Sequence, residues 1–96
     1  MPGGIVIPVL RQLRARLNRL RERELAVGLK RLPDLTPAQR AAVEQLSHAL
    51  LKGFMRAPSA RLRAAAVSGE GSDVVQAARY LFALDDGQQS RDVRAA

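Results

Sequence analysis

The sequence predicts an all-α fold, and three observations carry that prediction. Ala, Leu and Arg dominate while aromatics make up only 3% of the chain. The dominant residues lose little rotamer freedom in a helix, and strands favour the aromatic types that are scarce here. Apolar residues recur at helical spacing over long stretches, and Pro or Gly falls between those stretches. At 96 residues and 10.5 kDa the chain has room for one domain, whose stability must lean on an efficient core or on a partner. We expect a flexible start over 1–7, a helical domain over 8–85 and a disordered polar tail over 86–96.

Pro8 suits the first turn of a helix, where its missing N–H would be unpaired anyway, and Pro33 ends the helical pattern after Leu32. At about 100° per residue, Val6, Val9, Leu10, Leu13, Leu17 and Leu20 fall on one stripe. The 3-4-3 spacing of its four leucines is that of a coiled-coil seam. Leu25, Leu29 and Leu32 fall on a second stripe, roughly a third of a turn away. Two apolar faces on one helix need two partners. We therefore expect the first stripe to pack against a second copy of the chain and the second stripe to enter the subunit core; a single bent helix in a monomeric bundle is the alternative.

Thr36-Pro37 marks the next helix start, with Thr36 as N-cap, Pro37 at the first helical position and Gln39 approximating a capping box. The pattern predicts a helix over 37–55, with Val43, Leu46, Leu50 and Phe54 facing the core. Gly53 costs about 1 kcal/mol against Ala inside a helix, so either another helix packs closely there or the last turn frays. Pro58 disfavours helix at Ala57, which predicts a separate third helix over 59–67 with Leu62, Ala65 and Ala66 buried. Ser68-Gly69-Glu70-Gly71-Ser72 reads as a flexible loop, and Ser72 as the cap of a fourth helix over 73–84. Its inner face would hold Val74, Ala78, Leu81 and Phe82.

Charge narrows the functional classes. Sixteen basic side chains, 14 of them Arg, face nine acidic ones, net +7. Residues 1–63 carry thirteen basic and four acidic groups, whereas residues 64–96 carry three and five. Arg11, Arg14, Arg16, Arg19 and Arg23, with Arg21, occupy the sides and back of the first helix and are candidate RNA contacts, because a basic helix can neutralise phosphates. Against that stand the scarcity of aromatics for base stacking and the lack of a reading motif, which favour a merely solvated face. Glu24 falls in the heptad phase of the seam leucines, so if buried it needs a cation, from Arg21 or from a partner chain; the alternative is that the helix has already turned this face to water.

Catalytic and cofactor signatures are missing from the chain. Without Cys there is no thiolate nucleophile, disulfide or thiolate metal site, and this composition fits the cytoplasmic location we expect. His48 is the only imidazole, placed across from the Val43, Leu46, Leu50 stripe and one turn after Glu44, which reads as an exposed side chain rather than a ligand. The seven glycines match neither a dinucleotide fingerprint nor a Walker loop. The first ten residues are apolar but broken by Pro and Gly and lack a basic lead, unlike a signal peptide, and no run approaches the roughly 18 apolar residues of a membrane span. We expect no catalytic, metal or cofactor site in this chain and no membrane partner.

Five segments in one order carry a resemblance. They are Pro8-Val9-Leu10-Arg11-Gln12-Leu13-Arg14; Leu20-Arg21-Glu22-Arg23-Glu24-Leu25; Leu32-Pro33-Asp34-Leu35-Thr36-Pro37; Leu50-Leu51-Lys52-Gly53-Phe54-Met55-Arg56-Ala57-Pro58 with Arg61-Leu62-Arg63; and Leu81-Phe82-Ala83-Leu84-Asp85. Together they resemble the C-terminal dimerisation domain of glutamyl-tRNA reductases, over nearly the whole chain. Lys52 and Gly53 stand where that family usually has Asn-Lys, and Arg56 replaces its usual His. The resemblance implies a homodimer, and the helical periodicity assigns its interface to Val6, Leu10, Leu13, Leu17, Leu20 and Glu24. The subunit core would then hold Leu25, Leu29, Leu32, Val43, Leu46, Leu50, Phe54, Leu62, Leu81 and Phe82. The resemblance also implies a parent enzyme in tetrapyrrole synthesis whose Cys nucleophile and NADPH-binding domain lie upstream; that the Arg face aids tRNA approach is an expectation resting on charge alone. A free-standing basic helical protein that binds RNA or tRNA is the competing expectation.

Overall fold

Capping chemistry and one core at one end set the architecture. In a computed structural model that describes residues 4–84, α1 spans Val6–Lys30, α2 spans Pro37–Ser68 and α3 spans Gly71–Leu81, with no strand among the described residues. The all-α expectation is met with three helices rather than four. The expected tail over 86–96 lies outside the described residues, as do the first three residues of the expected flexible start; the rest of that start runs into α1, which begins at Val6.

Thr36 starts α2 with a complete capping box. Its Oγ1 accepts from the Gln39 backbone N–H at 3.1 Å, and its own backbone N–H donates to Gln39 Oε1 at 2.9 Å. Two of the orphan donors at the helix start are thereby satisfied. The helix then runs through Pro58 without ending, so the expected second and third helices are one. Pro58 removes a backbone donor and crowds the preceding turn. The compensation is tertiary: Met55 before it and Leu62 and Ala66 after it enter the same buried cluster, so a break there would divide the core.

A left-handed Gly69, φ 88°, closes α2. Gly69 N–H donates to the Ala66 carbonyl at 3.4 Å and Glu70 N–H to the Ala65 carbonyl at 2.8 Å, the paired bonds of a Schellman cap. Only Gly69 and Glu70 separate α2 from α3, so the expected five-residue loop contracts to a tight corner, and Ser72 lies inside α3 instead of capping it. Gly71 is buried at that corner, where a Cβ would stand 3.2 Å from Ala66 Cα. The same cap recurs after α3: Ala83 N–H donates to the Tyr80 carbonyl at 3.4 Å and Leu84 N–H to the Arg79 carbonyl at 2.8 Å. Here the left-handed position falls to Ala83, φ 55°.

The core gathers Val6, Val9, Leu10 and Leu13 from the first half of α1, and Met55, Leu62 and Ala66 from the second half of α2. Val75 and Ala78 of α3 and the trailing Leu84 complete it. Arg79 Nη1 donates to Gln12 Oε1 at 3.2 Å, tying α3 to α1 beside it. Among the described residues, no third helix lies over the far half of the α1–α2 hairpin. The shape reflects this: the extents are 52 × 33 × 16 Å and the radius of gyration is 16.4 Å. A compact chain of this size would have a radius of about 12 Å.

These packing assignments correct several expectations. Val6, Leu10 and Leu13, expected to face a second copy, are buried within the subunit because α3 covers that stretch of α1. Leu32, Leu46, Leu50, Phe54 and Leu81, expected in the core, are exposed. Leu25, Leu29, Val43 and Phe82 are half-buried, and Leu62 is buried. On α3 the buried side chains are Val75 and Ala78, so its inner face is rotated from the expected one and Leu81 turns outward.

Two substitutions test this packing by urea denaturation. Leu13→Ala is expected to cost about 2–5 kcal/mol, as for a core leucine. Ala83→Gly is expected to stabilise the chain by about 1 kcal/mol, because glycine adopts the left-handed conformation without the Cβ clash. A core-neutral Leu13→Ala or a destabilising Ala83→Gly would contradict the packing described.

Candidate interaction surface

Leu17 and Leu20 continue the stripe that begins with the buried Val6, Leu10 and Leu13; Leu17 still packs against the edge of the core, and Leu20 lies beyond it. Leu17 is half-buried and Leu20 is 44% exposed. Across from them on α2, Leu46, Leu50 and Phe54 recur at spacing four and are 60%, 66% and 48% exposed. Side chains at this spacing share one helical face, so the two helices present a continuous apolar strip. Between them runs a groove of about 480 Å³, lined by Leu17, Leu20, Arg21, Glu24 and Leu25 of α1 and by Ser47, Leu50, Leu51 and Phe54 of α2. Phe54 also meets Phe82 edge to face, with ring centroids 6.2 Å apart and planes at 89°, so one wall of the strip is braced against the residue that ends α3.

A polar clamp holds the groove open at its floor. The Arg21 side chain is only 11% exposed. Its Nη1 donates to Ser47 Oγ at 3.1 Å across the helix pair, and its Nε donates to Asn18 Oδ1 at 2.9 Å. Ser47 Oγ in turn donates to the Glu44 carbonyl at 2.7 Å, and Arg21 lies 3.7 Å from Glu22. The sequence makes Arg21 the local candidate cation for a buried Glu24; Glu24 is exposed, the alternative in which the helix turns that face to water, and Arg21 engages Asn18, Glu22 and Ser47. Glu24 is exposed on the groove wall and has no ion pair among the described residues. Arg21 as an interhelical clamp was missed, because nothing in its sequence neighbourhood separates it from the five solvated arginines around it.

Gly53 adds a second peculiarity to this face. It is exposed inside an unbroken helix, and a Cβ built on it would meet nothing within 4 Å. The turn is not frayed, and no helix of the described residues packs closely on it. On the helical wheel it lies beside Leu46 and Leu50.

Arg11, Arg14, Arg16, Arg19 and Arg23 are all exposed along α1, as is His48 on α2. Among the described residues no three His, Cys, Asp or Glu side chains gather as metal ligands, and no helix is long and apolar enough to cross a membrane.

Comparison with known proteins identifies relatives. Residues 5–84 match the family described as glutamyl-tRNAGlu reductase, dimerisation domain. The chain is similar to glutamyl-tRNA reductase of Chloroflexus aurantiacus, 40% identical over 79 residues, covering 82% of this chain and 18% of that protein. It is likewise similar to the glutamyl-tRNA reductases of Roseiflexus castenholzii, 38% identical with 83% and 18% covered, and of Myxococcus xanthus, 37% identical with 80% and 18% covered. The chain thus spans under a fifth of the length of these relatives. No solved structure matches it.

The Arg21 clamp makes its own prediction. Arg21→Ala is expected to destabilise the chain by about 1–3 kcal/mol, through lost packing and the loss of a hydrogen bond from a charged donor, whereas Arg19→Ala stays within about 0.5 kcal/mol of the parent. Equal effects in parallel melts would show that Arg21 is as solvated as its neighbours.

Proposed function

The chain belongs to the dimerisation-domain family of glutamyl-tRNA reductases, and from that premise we propose that it joins two copies of itself through the uncovered α1–α2 strip. The observation that carries this reading is the exposure of Leu20, Leu46, Leu50 and Phe54, with no helix of the described residues laid over them. Full burial of such a side chain contributes roughly 1.5–3 kcal/mol, and a two-fold interface uses every residue twice. Half-exposed leucines therefore add up to a substantial driving force once a second strip lies on the first. Gly53 supports the same face: the helix-propensity cost of about 1 kcal/mol is offset where a partner helix approaches its bare backbone. Glu24, at the groove wall, would take its cation from the second copy.

In this reading the interface lies farther along the hairpin than the seam expected from the leucine spacing: Leu17, Leu20 and Glu24 remain in it, and Leu46, Leu50 and Phe54 replace Val6, Leu10 and Leu13. The role is structural and the module is not itself catalytic, since neither a thiol nor a dinucleotide fingerprint occurs in the sequence. The parent would be a cytoplasmic, NADPH-dependent glutamyl-tRNA reductase serving tetrapyrrole synthesis, with the thiol and the NADPH site elsewhere in it, and dimerisation would fix the spacing of its two catalytic units. The exposed arginines of α1 support an accessory contact with the tRNA backbone, one whose affinity falls as salt rises.

Solution mass tests the proposal. The full chain is expected to be a dimer at micromolar concentration, and Leu46→Glu with Leu50→Glu is expected to give a monomer that keeps its helical circular dichroism. Leu13→Glu is expected to unfold the chain instead. A monomeric parent chain with tight, salt-sensitive tRNA binding would replace this reading with that of a free-standing RNA-binding protein.

A further inference from the structure

Three arginines from two helices line a second, separate cavity. It measures about 320 Å³, and its walls are Arg11 and Arg14 of α1 and Arg63 and Ser59 of α2, over a floor that includes Leu10 and Met55. None of its lining residues lines the α1–α2 groove, so the site stands independently of self-association. No Asp or Glu borders it, and none of the three arginines has an ion pair among the described residues. Leu10 and Met55 are 8% and 2% exposed, so the three exposed arginines border an apolar floor.

Like charges gathered around one concavity repel each other, and a bound anion removes that repulsion. Guanidinium groups offer forked N–H donors that match the oxygens of a phosphate, and two or three of them around one centre give a geometry a single surface Arg lacks. The Ser59 hydroxyl adds a neutral donor at the rim. Sequence periodicity placed Arg11 and Arg14 among five equivalent candidates along α1. The fold singles out these two by bringing Arg63 across from α2, 49 residues away from Arg14 in the chain. We propose that Arg11, Arg14, Arg63 and Ser59 form a binding site for a phosphate group, supplied either by a small phosphorylated molecule or pyrophosphate or by the phosphodiester backbone of a nucleic acid.

Pyrophosphate titration of the full chain, followed by backbone amide chemical shifts at low salt, tests the site. Saturable shifts are expected at residues around 10–14 and 59–63. In a variant carrying Arg14→Gln and Arg63→Gln the affinity is expected to fall at least about tenfold, the effect of losing about 1.4 kcal/mol, while circular dichroism stays that of the parent. A control with Arg31→Gln and Arg40→Gln removes the same charge elsewhere on the chain and is expected to keep the affinity within about twofold. A short single-stranded RNA then separates the sources: displacement of pyrophosphate assigns the site to a nucleic-acid backbone, and no displacement assigns it to a small phosphate. Unsaturable shifts, or an equal loss in the control, would overturn the proposal by reducing the effect to net charge.

Discussion

The structure depends on where α3 sits. By laying Val75, Ala78 and Leu84 over Val6, Val9, Leu10, Leu13 and the second half of α2, it concentrates the buried apolar side chains at one end of the molecule. Beyond Leu17 on α1, and before Leu51 on α2, the described residues form a two-helix hairpin with one interhelical seam and no third layer. A helix buries a stripe only against something, and layer architectures need both faces of that stripe closed. The elongated shape and the bare leucines of the hairpin are consequences of a short third helix whose reach ends partway along its neighbours.

Stability and association are therefore assigned to different halves of the same two helices. The subunit end is held by aliphatic packing and by two left-handed caps, at Gly69 and Ala83, that turn the chain tightly enough for α3 to fold back. The hairpin end is held by the capping box at Thr36, by the Arg21 to Ser47 bond and by half-buried Leu17, Leu25 and Leu51. This arrangement suits the connector proposed above: one end keeps its shape alone while the other leaves an apolar face uncovered among the described residues. The Arg11, Arg14 and Arg63 cavity lies toward the core end, where a rigid floor can hold the guanidinium groups in place.

Much of this was legible in the residues, and the errors have physical causes. Helix content, the Thr36-Pro37 start, the buried Leu62, Ala65 and Ala66 and the family all follow from local signals. Both apolar stripes of α1 are visible in its periodicity, but leucine reads the same in a subunit core as in an interface, so the pattern could not say that α3 covers Leu10 and Leu13 and leaves Leu50 bare. Pro58 misled for the opposite reason: local preference favours a break there, and the shared core of Met55 and Leu62 overrides it. Arg21 and Arg63 could not be told from other arginines, because what distinguishes each is a side chain on the other long helix.

The division of the two long helices is tested most directly by hydrogen exchange of the full chain over a dilution series. The account predicts that amide protection across residues 20–30 and 41–54 falls as the chain is diluted, whereas protection around Leu13, Leu62 and Ala78 holds at every concentration where the subunit stays folded. Protection that is independent of concentration throughout, or that is lost first around Leu13, would contradict it.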